Sequence, residues 1–448
     1  MKYLIFGLGK TGFSVVKYLL SQGHDGVVFD TRLHPLMESE MKRDFPHVPC
    51  FFEHFPDSAW EGIQAMVMSP GLDSHSNTVQ KILQVAKDRN LKITSDIELF
   101  FDHLHKNTNV PVIGITGSNG KSTVTALVYE MLKASGYRVK KGGNYGIPAL
   151  DLLGEDVDSY VLELSSFQLE LLSKPANLYA AVVLNISPNH LDRHETMDNY
   201  QRIKTKIYDG ARFKIFRASN ENKKGYLCLS PHGKEESFYE NEERIFKGFH
   251  PLIAVSEVRL LGRHNIENSL AALALIDAVL GEKDSGHFLK KLAPSLQVLR
   301  TFEGLPHRCR YVLEKEGVTW INDSKSTTSA STLAALGSFG PSVVKSGGKI
   351  ILIAGGQAKG ATFENLATSL SIYGKALILL GQDAEQLEKD LSAFVRTYKV
   401  STLKAAVELA KTLAKPKDWV LLSPACASLD MFKNYEHRGE VFEEEIRV

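Results

Sequence analysis

Residues 116–122 read Thr-Gly-Ser-Asn-Gly-Lys-Ser, a spacing typical of a loop that holds phosphate. They follow a short apolar run and precede a helical pattern, and a glycine-rich loop between strand and helix points its backbone N–H groups at an anion. Lys121 adds a cation, and the hydroxyl of Ser122 can ligate magnesium. The standard loop has glycine where this chain has Ile115, so the loop is a variant. A surface turn is the alternative interpretation, but strand, glycines, Lys-Ser and helix together predict nucleoside triphosphate binding.

A second glycine motif, Gly-Leu-Gly-Lys-Thr-Gly, occupies residues 7–12 after the first apolar run, and Asp30 closes the next one. This is the spacing of a dinucleotide fingerprint, which taken alone indicates a dehydrogenase. The same turn can hold the diphosphate of another nucleotide, or it can be a tight turn without a ligand.

Acidic and imidazole side chains follow two further apolar strands. Glu163 ends one of them, where a carboxylate can face the phosphate loop and hold magnesium, although it could also be exposed at a sheet end. Residues 185–194 follow the other and contain two Asn, His190, an Asp, Arg193 and His194. This cluster suits a metal or a substrate phosphate.

The segment 200–206 is predicted to be helical and carries Lys204 and Lys206. From spacing alone, the favoured interpretation is an ordinary solvated basic face.

The last third of the chain places polar groups after three apolar strands, at residues 322–328, 355–360 and 423–432. Cationic and hydroxyl groups at strand ends suit anionic substrates, although each could also be turn chemistry or a helix cap. Cys426 has no evident activating base and is interpreted as a packing residue.

These motifs need sheets to position them, and the chain supplies three series of alternating strands and helices. In the first series, strands are predicted at 3–6, 27–30 and 65–68, helices at 11–22 and 78–89, and a polar loop at 103–109. Such alternation is typical of parallel sheets covered by helices, which hold ligands at the carboxyl ends of their strands. The predicted fold class is therefore α/β.

Bulk composition narrows the function class. The 448 residues carry 53 basic and 52 acidic side chains, a formal charge of +1, which gives no support for a nucleic-acid or membrane-surface partner. The four cysteines are far apart and form no C-x-x-C pair, which suits a reducing cytosol. The apolar N-terminus is interpreted as a first strand rather than a signal peptide, and no uncharged apolar stretch is long enough to cross a bilayer. A cytoplasmic protein without membrane insertion is expected.

Taken together, the motifs resemble those of the Mur ligases, the ATP-dependent amino-acid-adding enzymes of peptidoglycan synthesis. The resemblance rests on the phosphate-loop variant, Glu163, the Asn-His cluster, and residues 264–268 and 322–325, and it spans essentially the whole chain in order. Four segments favour the member that adds D-glutamate: 9–12, 30–32, 96–100, and 423–432 continuing to Arg438-Gly439. An Asp-Asn-Pro-Arg motif, carried by the diaminopimelate- or lysine-adding relative, is not found in the sequence.

The resemblance implies three domains: a Rossmann-like N-terminal domain at 1–98 for the UDP-substrate, a central P-loop-type ATPase domain at 99–300 with a mainly parallel sheet, and a C-terminal Rossmann-like α/β domain at 301–448 for the amino acid. The glycine motif at 7–12 would then face a UDP-sugar. The implied reaction joins D-glutamate to UDP-N-acetylmuramoyl-L-alanine through an acyl phosphate and a tetrahedral intermediate, with ATP and two magnesium ions. A monomer is expected.

The resemblance also implies roles for individual residues. The catalytic set is Lys121, His190 and Lys204, and the metal ligands are Ser122, Glu163, His190 and Lys204. The ATP site comprises Gly117, Asn119, Gly120, Lys121, Ser122, Thr123, Asn268, Arg308 and Asp323. The substrate residues are Thr11, Asp30, Thr31, Arg32, Gly71, Asn144, Ser165, Thr327, Lys359, Ser423 and Phe432.

By the same analogy Lys204 is carbamylated, since a bare ammonium beside magnesium is electrostatically wrong and a carbamate is an anionic ligand; Lys206 is the nearby competitor. The rival interpretations are a related amide ligase, such as one adding another amino acid or a folylpolyglutamate synthase, a nicotinamide-dependent oxidoreductase, and a non-catalytic or motor-type nucleotide-binding protein.

Overall fold

The computed structural model describes residues 1–220, 223–230, 233–234, 237–280, 288–358 and 360–448. It is a mixed α/β structure built on three sheets, in agreement with the predicted fold class. The chain divides into two compact units, residues 1–255 with 268–298 and residues 256–267 with 299–448. Within the described residues, no helix combines the length and apolar character that crossing a membrane requires.

The first sheet of the larger unit has five parallel strands in the order β3-β2-β1-β4-β5. The order reverses beside β1, which is where open α/β sheets place a ligand crevice. Buried apolar side chains such as Leu4 and Phe6 form its core. The strands are β1 Lys2–Phe6, β2 Asp25–Asp30, β3 Cys50–Phe52, β4 Ile63–Met68 and β5 Lys92–Thr94, and the helices are α1 Lys10–Ser21, α2 Glu38–Asp44, α3 Asn77–Asp88 and α4 Asp96–Asn107.

The second sheet of this unit has the order β15-β14-β13-β11-β10-β9-β6-β8-β7, with β12 paired to β11. Strands β6 to β10 pair in parallel, and β10 onward pair antiparallel. The strands are β6 Val112–Thr116, β7 Val139–Gly143, β8 Ser159–Glu163, β9 Ala180–Val183, β10 Phe213–Asn220, β11 Lys223–Ser230, β12 Gly233–Lys234, β13 Phe238–Asn241, β14 Arg244–Lys247 and β15 His250–Ala254. The helices that follow in this part of the chain are α5 Lys121–Ala134, α6 Ser166–Glu170, α7 Leu191–His194, α8 Met197–Thr205, α9 Arg263–Leu280 and α10 Phe288–Thr301.

The smaller unit is built on a six-stranded sheet in the order β16-β17-β21-β18-β19-β20, parallel except for β16. Strand β18 is buried along its whole length because helices cover both faces of the sheet. The strands are β16 Arg310–Lys315, β17 Val318–Asn322, β18 Ile350–Gly355, β19 Gly374–Leu380, β20 Thr397–Lys399 and β21 Trp419–Leu422, and the helices are α11 Ser329–Lys345, α12 Ala367–Tyr373, α13 Ala384–Leu391, α14 Leu403–Leu413 and α15 Tyr435–Arg447.

The polar loop predicted at residues 103–109 is wrong, since α4 continues to Asn107. Ser95 caps the helix by accepting from the backbone N–H of Glu98, and Leu104 is buried in the core shared by the first two sheets. His103 accepts or donates a 3.2 Å hydrogen bond with the hydroxyl of Tyr18. The polar residues after His103 therefore do not end the helix, because the burial of Leu104 outweighs their preference for a loop. The domain boundaries at 98/99 and 300/301 stay predictions.

Candidate active site

The phosphate loop joins the buried strand β6 to α5, as predicted. Gly120 precedes the first turn of α5 with φ +84°, and a Cβ there would overlap the side chain of Asn268. Gly117 has φ +152°, and a Cβ there would lie 3.0 Å from that of Leu184. Because both positions need a backbone that L side chains rarely adopt, the glycines shape the loop. Asn268 is thereby placed against the loop, next to Gly120.

The loop is held from the adjacent β9 connection. The backbone N–H of Asn119 donates to Asn185 Oδ1 at 2.9 Å, and Asn185 Nδ2 donates back to the carbonyl of Asn119 at 3.0 Å. The Oγ of Ser118 lies 3.2 Å from the hydroxyl of the buried Tyr200. Sequence reasoning did not assign these loop contacts to Asn185 and Tyr200, because side-chain amides and hydroxyls after strands have no distinctive spacing.

Lys121 folds back over the loop. Its Nζ donates to the carbonyls of Gly117 and Ser118, each at 2.9 Å. The ammonium is therefore held at the mouth of the loop, where it adds positive charge to the N-terminus of α5. Thr123 lies half-buried in the first turn of the same helix.

Glu163 ends β8 beside the loop and is only 2% exposed. It accepts hydrogen bonds from the hydroxyl of Ser122 at 2.6 Å and from Nδ2 of Asn144 at 2.7 Å. The structure thus brings together three residues that the resemblance assigned to metal and substrate. A hydroxyl and a carboxylate side by side are the oxygen ligands that magnesium prefers, and magnesium keeps waters and substrate oxygens in its remaining positions.

Lys204 contradicts the prediction of a solvated basic face. It lies on α8 with 2% of its surface exposed, and its Nζ donates to the carbonyl of Gly117 at 3.0 Å. The ammonium also lies 4.8 Å from the centre of the Tyr200 ring. Burial, and secondarily the charge of Lys121, lowers the pKa of Lys204 to about 7, although Glu163 opposes the shift. The helix therefore turns this lysine inward to the phosphate loop.

His190 sits before α7 with φ +54° and is exposed. Its ring centre lies 4.8 Å from that of Phe167, in an edge-on arrangement. In the part of the chain that the structure describes, no three His, Cys, Asp or Glu side chains group together as a ready-made metal cage. A magnesium site built from one carboxylate, one hydroxyl and phosphate oxygens does not need such a cage.

The first sheet carries a cleft of about 430 Å³ at the switch point. Asp30 is its buried anchor: it accepts from the N–H of Leu8 at 2.7 Å and from Nε and Nη2 of Arg32 at 2.9 and 2.8 Å. Burial would raise the pKa of Asp30, but the hydrogen bonds from Arg32 and Leu8 together lower it. The predicted substrate residues gathered here are Thr11, Asp30, Thr31, Arg32 and Gly71.

Ser165 directly precedes α6 as its N-cap, close to the end of β8. Its hydroxyl accepts from the backbone N–H of Gln168 at 3.2 Å, and Gln168 Oε1 accepts from the N–H of Ser165 at 3.1 Å, which completes a capping box. The residue therefore has a structural role as a cap in addition to the substrate contact predicted for it.

The smaller unit groups other predicted residues after β17 and β21. Asp323 is buried and accepts from the hydroxyls of Ser326 at 2.5 Å and Ser423 at 2.8 Å, and burial raises its pKa to about 6. Ser423 is fully buried in this network, whereas Thr327 and Phe432 are half-buried. Arg308 is also half-buried, and Lys359 lies outside the described residues.

Three family models match the chain in order. Residues 1–94 match the "Mur ligase MurD-like, N-terminal domain", residues 115–276 the "Mur ligase middle domain", and residues 307–426 the "Mur ligase, glutamate ligase domain". The order agrees with the three-domain α/β architecture expected from the sequence.

Curated relatives match over nearly the whole length. The UDP-N-acetylmuramoylalanine–D-glutamate ligase of Legionella pneumophila (strain Lens) is 42% identical over 462 residues, covering 99% of this chain and 98% of that protein. The enzyme of the same name from Marinobacter nauticus is 42% identical over 451 residues, covering 98% and 96%.

Solved structures show the same fold at low identity. The UDP-N-acetylmuramate-alanine ligase of Thermotoga maritima has a TM-score of 0.56 at 17% identity, covering 100% of this chain and 99% of that one. The MurF ligase of Thermotoga maritima, solved in complex with ADP, has a TM-score of 0.53 at 17% identity, covering 94% and 95%. With 42% identity sustained over 99% of its length and three family models matched in order, this chain belongs to the Mur ligase family.

Proposed function

We propose that the chain is an ATP-dependent ligase that adds D-glutamate to UDP-N-acetylmuramoyl-L-alanine in the synthesis of peptidoglycan precursors. The observation that carries this is the 42% identity, over 99% of the chain, to ligases named for that reaction. The phosphate loop backed by Ser122 and Glu163 supplies the nucleotide chemistry that the reaction needs. The terminal carboxylate of UDP-N-acetylmuramoyl-L-alanine attacks the γ-phosphorus of ATP, which releases ADP and forms an acyl phosphate. The neutral amine of D-glutamate then attacks the carbonyl carbon and gives up a proton, and phosphate leaves the tetrahedral intermediate to give the amide.

The carboxylates, the phosphates of ATP and the acyl phosphate are all negatively charged, so catalysis depends on positioned hydrogen-bond donors and cations. The backbone of residues 117–122 and the ammonium of Lys121 would bind the β- and γ-phosphates, with Thr123 and Asn268 alongside. Ser122 and Glu163 would hold magnesium, which when bound neutralises charge on the phosphate oxygens. A second ion near His190, and contributions from Arg308 and Asp323 to the ATP site, are part of the same proposal.

Lys204 is proposed to act as a carbamate. Its neutral amine attacks the carbon of carbon dioxide, a C–N bond forms as one C=O π bond opens, and one N–H proton is released to solvent, which leaves an anionic carbamate on the side chain. A pKa of about 7 supports this, because a substantial fraction of the amine is then neutral and nucleophilic near neutral pH. Lys206 is less suited, since its Nζ donates to the carbonyls of Glu170 and Leu172, whereas Nζ of Lys204 donates to the phosphate loop.

The two substrates are proposed to bind at different groups of residues. The cleft of the first sheet is proposed to take the uridine diphosphate, with Asp30 and Arg32 fixing its wall, and Asn144 and Ser165 lie nearer the phosphate loop. Thr327, Lys359, Ser423 and Phe432 are proposed for D-glutamate. An oxidoreductase role for residues 7–12 is not favoured, since relatives that are 42% identical over nearly the whole chain are named as ligases. A cytoplasmic monomer is part of the proposal.

The test is coupling by the purified full chain, followed as release of phosphate and formation of the new amide by mass spectrometry. We expect product with ATP, magnesium, UDP-N-acetylmuramoyl-L-alanine and D-glutamate, and none with L-glutamate. Lys121→Ala should abolish product formation. Coupling of another amino acid in place of D-glutamate would favour a different family reaction, and activity that survives Lys121→Ala would overturn the proposed role of the loop.

A further inference from the structure

Arg193 lies in α7, three residues after His190, in the connection that follows β9. Its side chain is only 8% exposed, and its guanidinium lies 4.3 Å from the centre of the Phe167 ring. A buried cation on a loop beside a phosphate site invites the interpretation that it binds substrate phosphate, as the sequence cluster suggested. Its contacts give a different result.

The guanidinium spans two structural elements of the larger unit. On one side, Nη1 donates to the carbonyls of Pro70 at 3.1 Å and Leu72 at 2.7 Å. On the other, Nε and Nη2 donate to Glu170 Oε2 on α6 at 3.0 and 2.7 Å. Four of its N–H groups are used in this way, which leaves little donor capacity for a phosphate.

The carbonyls that Arg193 holds flank Gly71, in the turn that follows β4. This turn forms one wall of the cleft of about 430 Å³ on the first sheet. Its other end is fixed within the first sheet, where the hydroxyl of Ser69 donates to the carbonyl of Gly7 at 3.0 Å. A hydrogen bond of 3.0 Å also joins Nε2 of His75, which follows the turn, to the backbone carbonyl of Arg193. The wall of the cleft is therefore held by the same short helix, α7, that directly follows His190.

We propose that Arg193 is a positioning residue that sets the wall of the UDP-substrate cleft from the second sheet. It ties the turn at residues 69–72 to the loop that presents His190, with Glu170 as the counter-charge that orients the guanidinium. Arginine suits this role because its planar fork can satisfy two carbonyls and a carboxylate at once, which the single ammonium of lysine cannot do in one geometry. The inference rests on the proposed function and concerns how its substrate cleft is built.

The test measures the dissociation constants of UDP-N-acetylmuramoyl-L-alanine and of ADP by calorimetry, each without the other ligand, in wild type and in Arg193→Ala. We expect the constant for the UDP-substrate to rise roughly tenfold to a hundredfold, the factor for losing one or two charge-assisted hydrogen bonds. The constant for ADP should change less than about twofold, and KM for ATP should likewise be preserved. Arg193→Lys should recover part of the loss, and Glu170→Gln should give a smaller loss in the same direction.

Arg202→Ala is the matched control, because this arginine is exposed on α8 and its Nη2 donates to Asn199 on the same helix. If wild type does not bind the UDP-substrate, the proposed function fails. If wild type binds it and Arg193→Ala binds it equally well, or loses ADP binding to the same extent, the positioning role alone is overturned. Should Arg193→Ala not fold, Arg193→Lys and Glu170→Gln decide between the same outcomes.

Discussion

At the scale of single residues, burial changes what each charged group can do. Lys204 and Lys206 differ by two positions, yet Lys204 reaches the phosphate loop and Lys206 binds the carbonyls at the end of α6. Glu163 is buried but its two oxygens are both satisfied by donors. A buried charge without such partners is costly, so these contacts identify the groups that the fold has prepared for chemistry.

Lys204→Ala should lower kcat by roughly a hundredfold or more, as expected when a charged group is removed from a phosphoryl-transfer site. Short-chain carboxylic acids such as acetate or propionate should restore part of the activity, since they can occupy the space and supply the carboxylate. The measurement is the phosphate-release rate with and without added acid. Lys206→Ala is the control and should keep most of the activity. Full activity of Lys204→Ala without added acid would contradict the carbamate proposal.

Asp96 gives a pH-dependent prediction for stability. It is 2% exposed, one of its carboxylate oxygens has no hydrogen-bond partner in the described structure, and burial raises its pKa from 3.8 to about 6. A carboxyl whose pKa rises on folding favours the folded state while it is protonated, and this contribution is lost as the pH rises from about 4 to 6. Asp96→Asn does not titrate, so its free energy of unfolding should rise relative to wild type over that range, by up to roughly 3 kcal/mol.

The measurement is urea unfolding of both proteins at pH 4 and pH 8. Asp198→Asn is the matched control, because Asp198 also lies in the first turn of a helix but is exposed. Its difference from wild type should not change between the two pH values. A difference for Asp96→Asn that is the same at both pH values would refute the buried-carboxyl interpretation.

At the scale of elements, close approach of strand and helix decides where a side chain is tolerated. Helix α1 starts directly against the turn after β1, so the backbone of Gly7 meets the helix at Gly12. This contact brings the N-terminus of α1 to the cleft, where it can face a diphosphate. The glycine spacing that resembles a dinucleotide fingerprint is therefore a packing requirement, and the identity of the ligand is decided elsewhere.

Gly12→Ala should destabilise the first sheet, because the new Cβ would overlap the carbonyl oxygen of Gly7. We expect the free energy of unfolding to fall by about 1–3 kcal/mol, the range for overpacking, and UDP-substrate binding to weaken. Gly9→Ala is the control, since among the described residues a Cβ at Gly9 meets no heavy atom within 4 Å. Thermal unfolding of the two variants measures the change in stability, and calorimetry with the UDP-substrate measures the change in binding. Equal midpoints for the two variants would show that the helix can shift at no cost.

At the scale of the whole molecule, the chain has three sheets in two compact units, and residues proposed to bind ligands are found in each unit. The larger unit contains the phosphate loop and the cleft proposed for the UDP-substrate, and the smaller unit contains the Asp323 network. Ligand binding should therefore be visible as stabilisation of the unit that contacts each ligand, by mass action.

A non-hydrolysable ATP analogue with magnesium should raise the unfolding midpoint of the transition that includes the phosphate loop. At a hundredfold excess over the dissociation constant the stabilisation is about 2.7 kcal/mol. Lys121→Ala should lose most of this shift, whereas Lys133→Ala, exposed at the other end of α5, should keep it. Chelation of magnesium should reduce the shift in wild type. An undiminished shift in Lys121→Ala would contradict nucleotide binding at this loop.

The sequence alone determined the α/β class, the strands β1, β2 and β4 of the first sheet, the phosphate loop and the family, because these depend on local periodicity and on short motifs with a fixed backbone geometry. Tertiary structure decided that α4 continues to Asn107, that Lys204 points inward, and that Arg193 holds the turn around Gly71. Each of these depends on which distant residues pack against a side chain. A lysine or arginine on a helix has the same local pattern whether it faces solvent or a neighbouring sheet, so only the folded arrangement, which sets burial and partners, distinguishes the two.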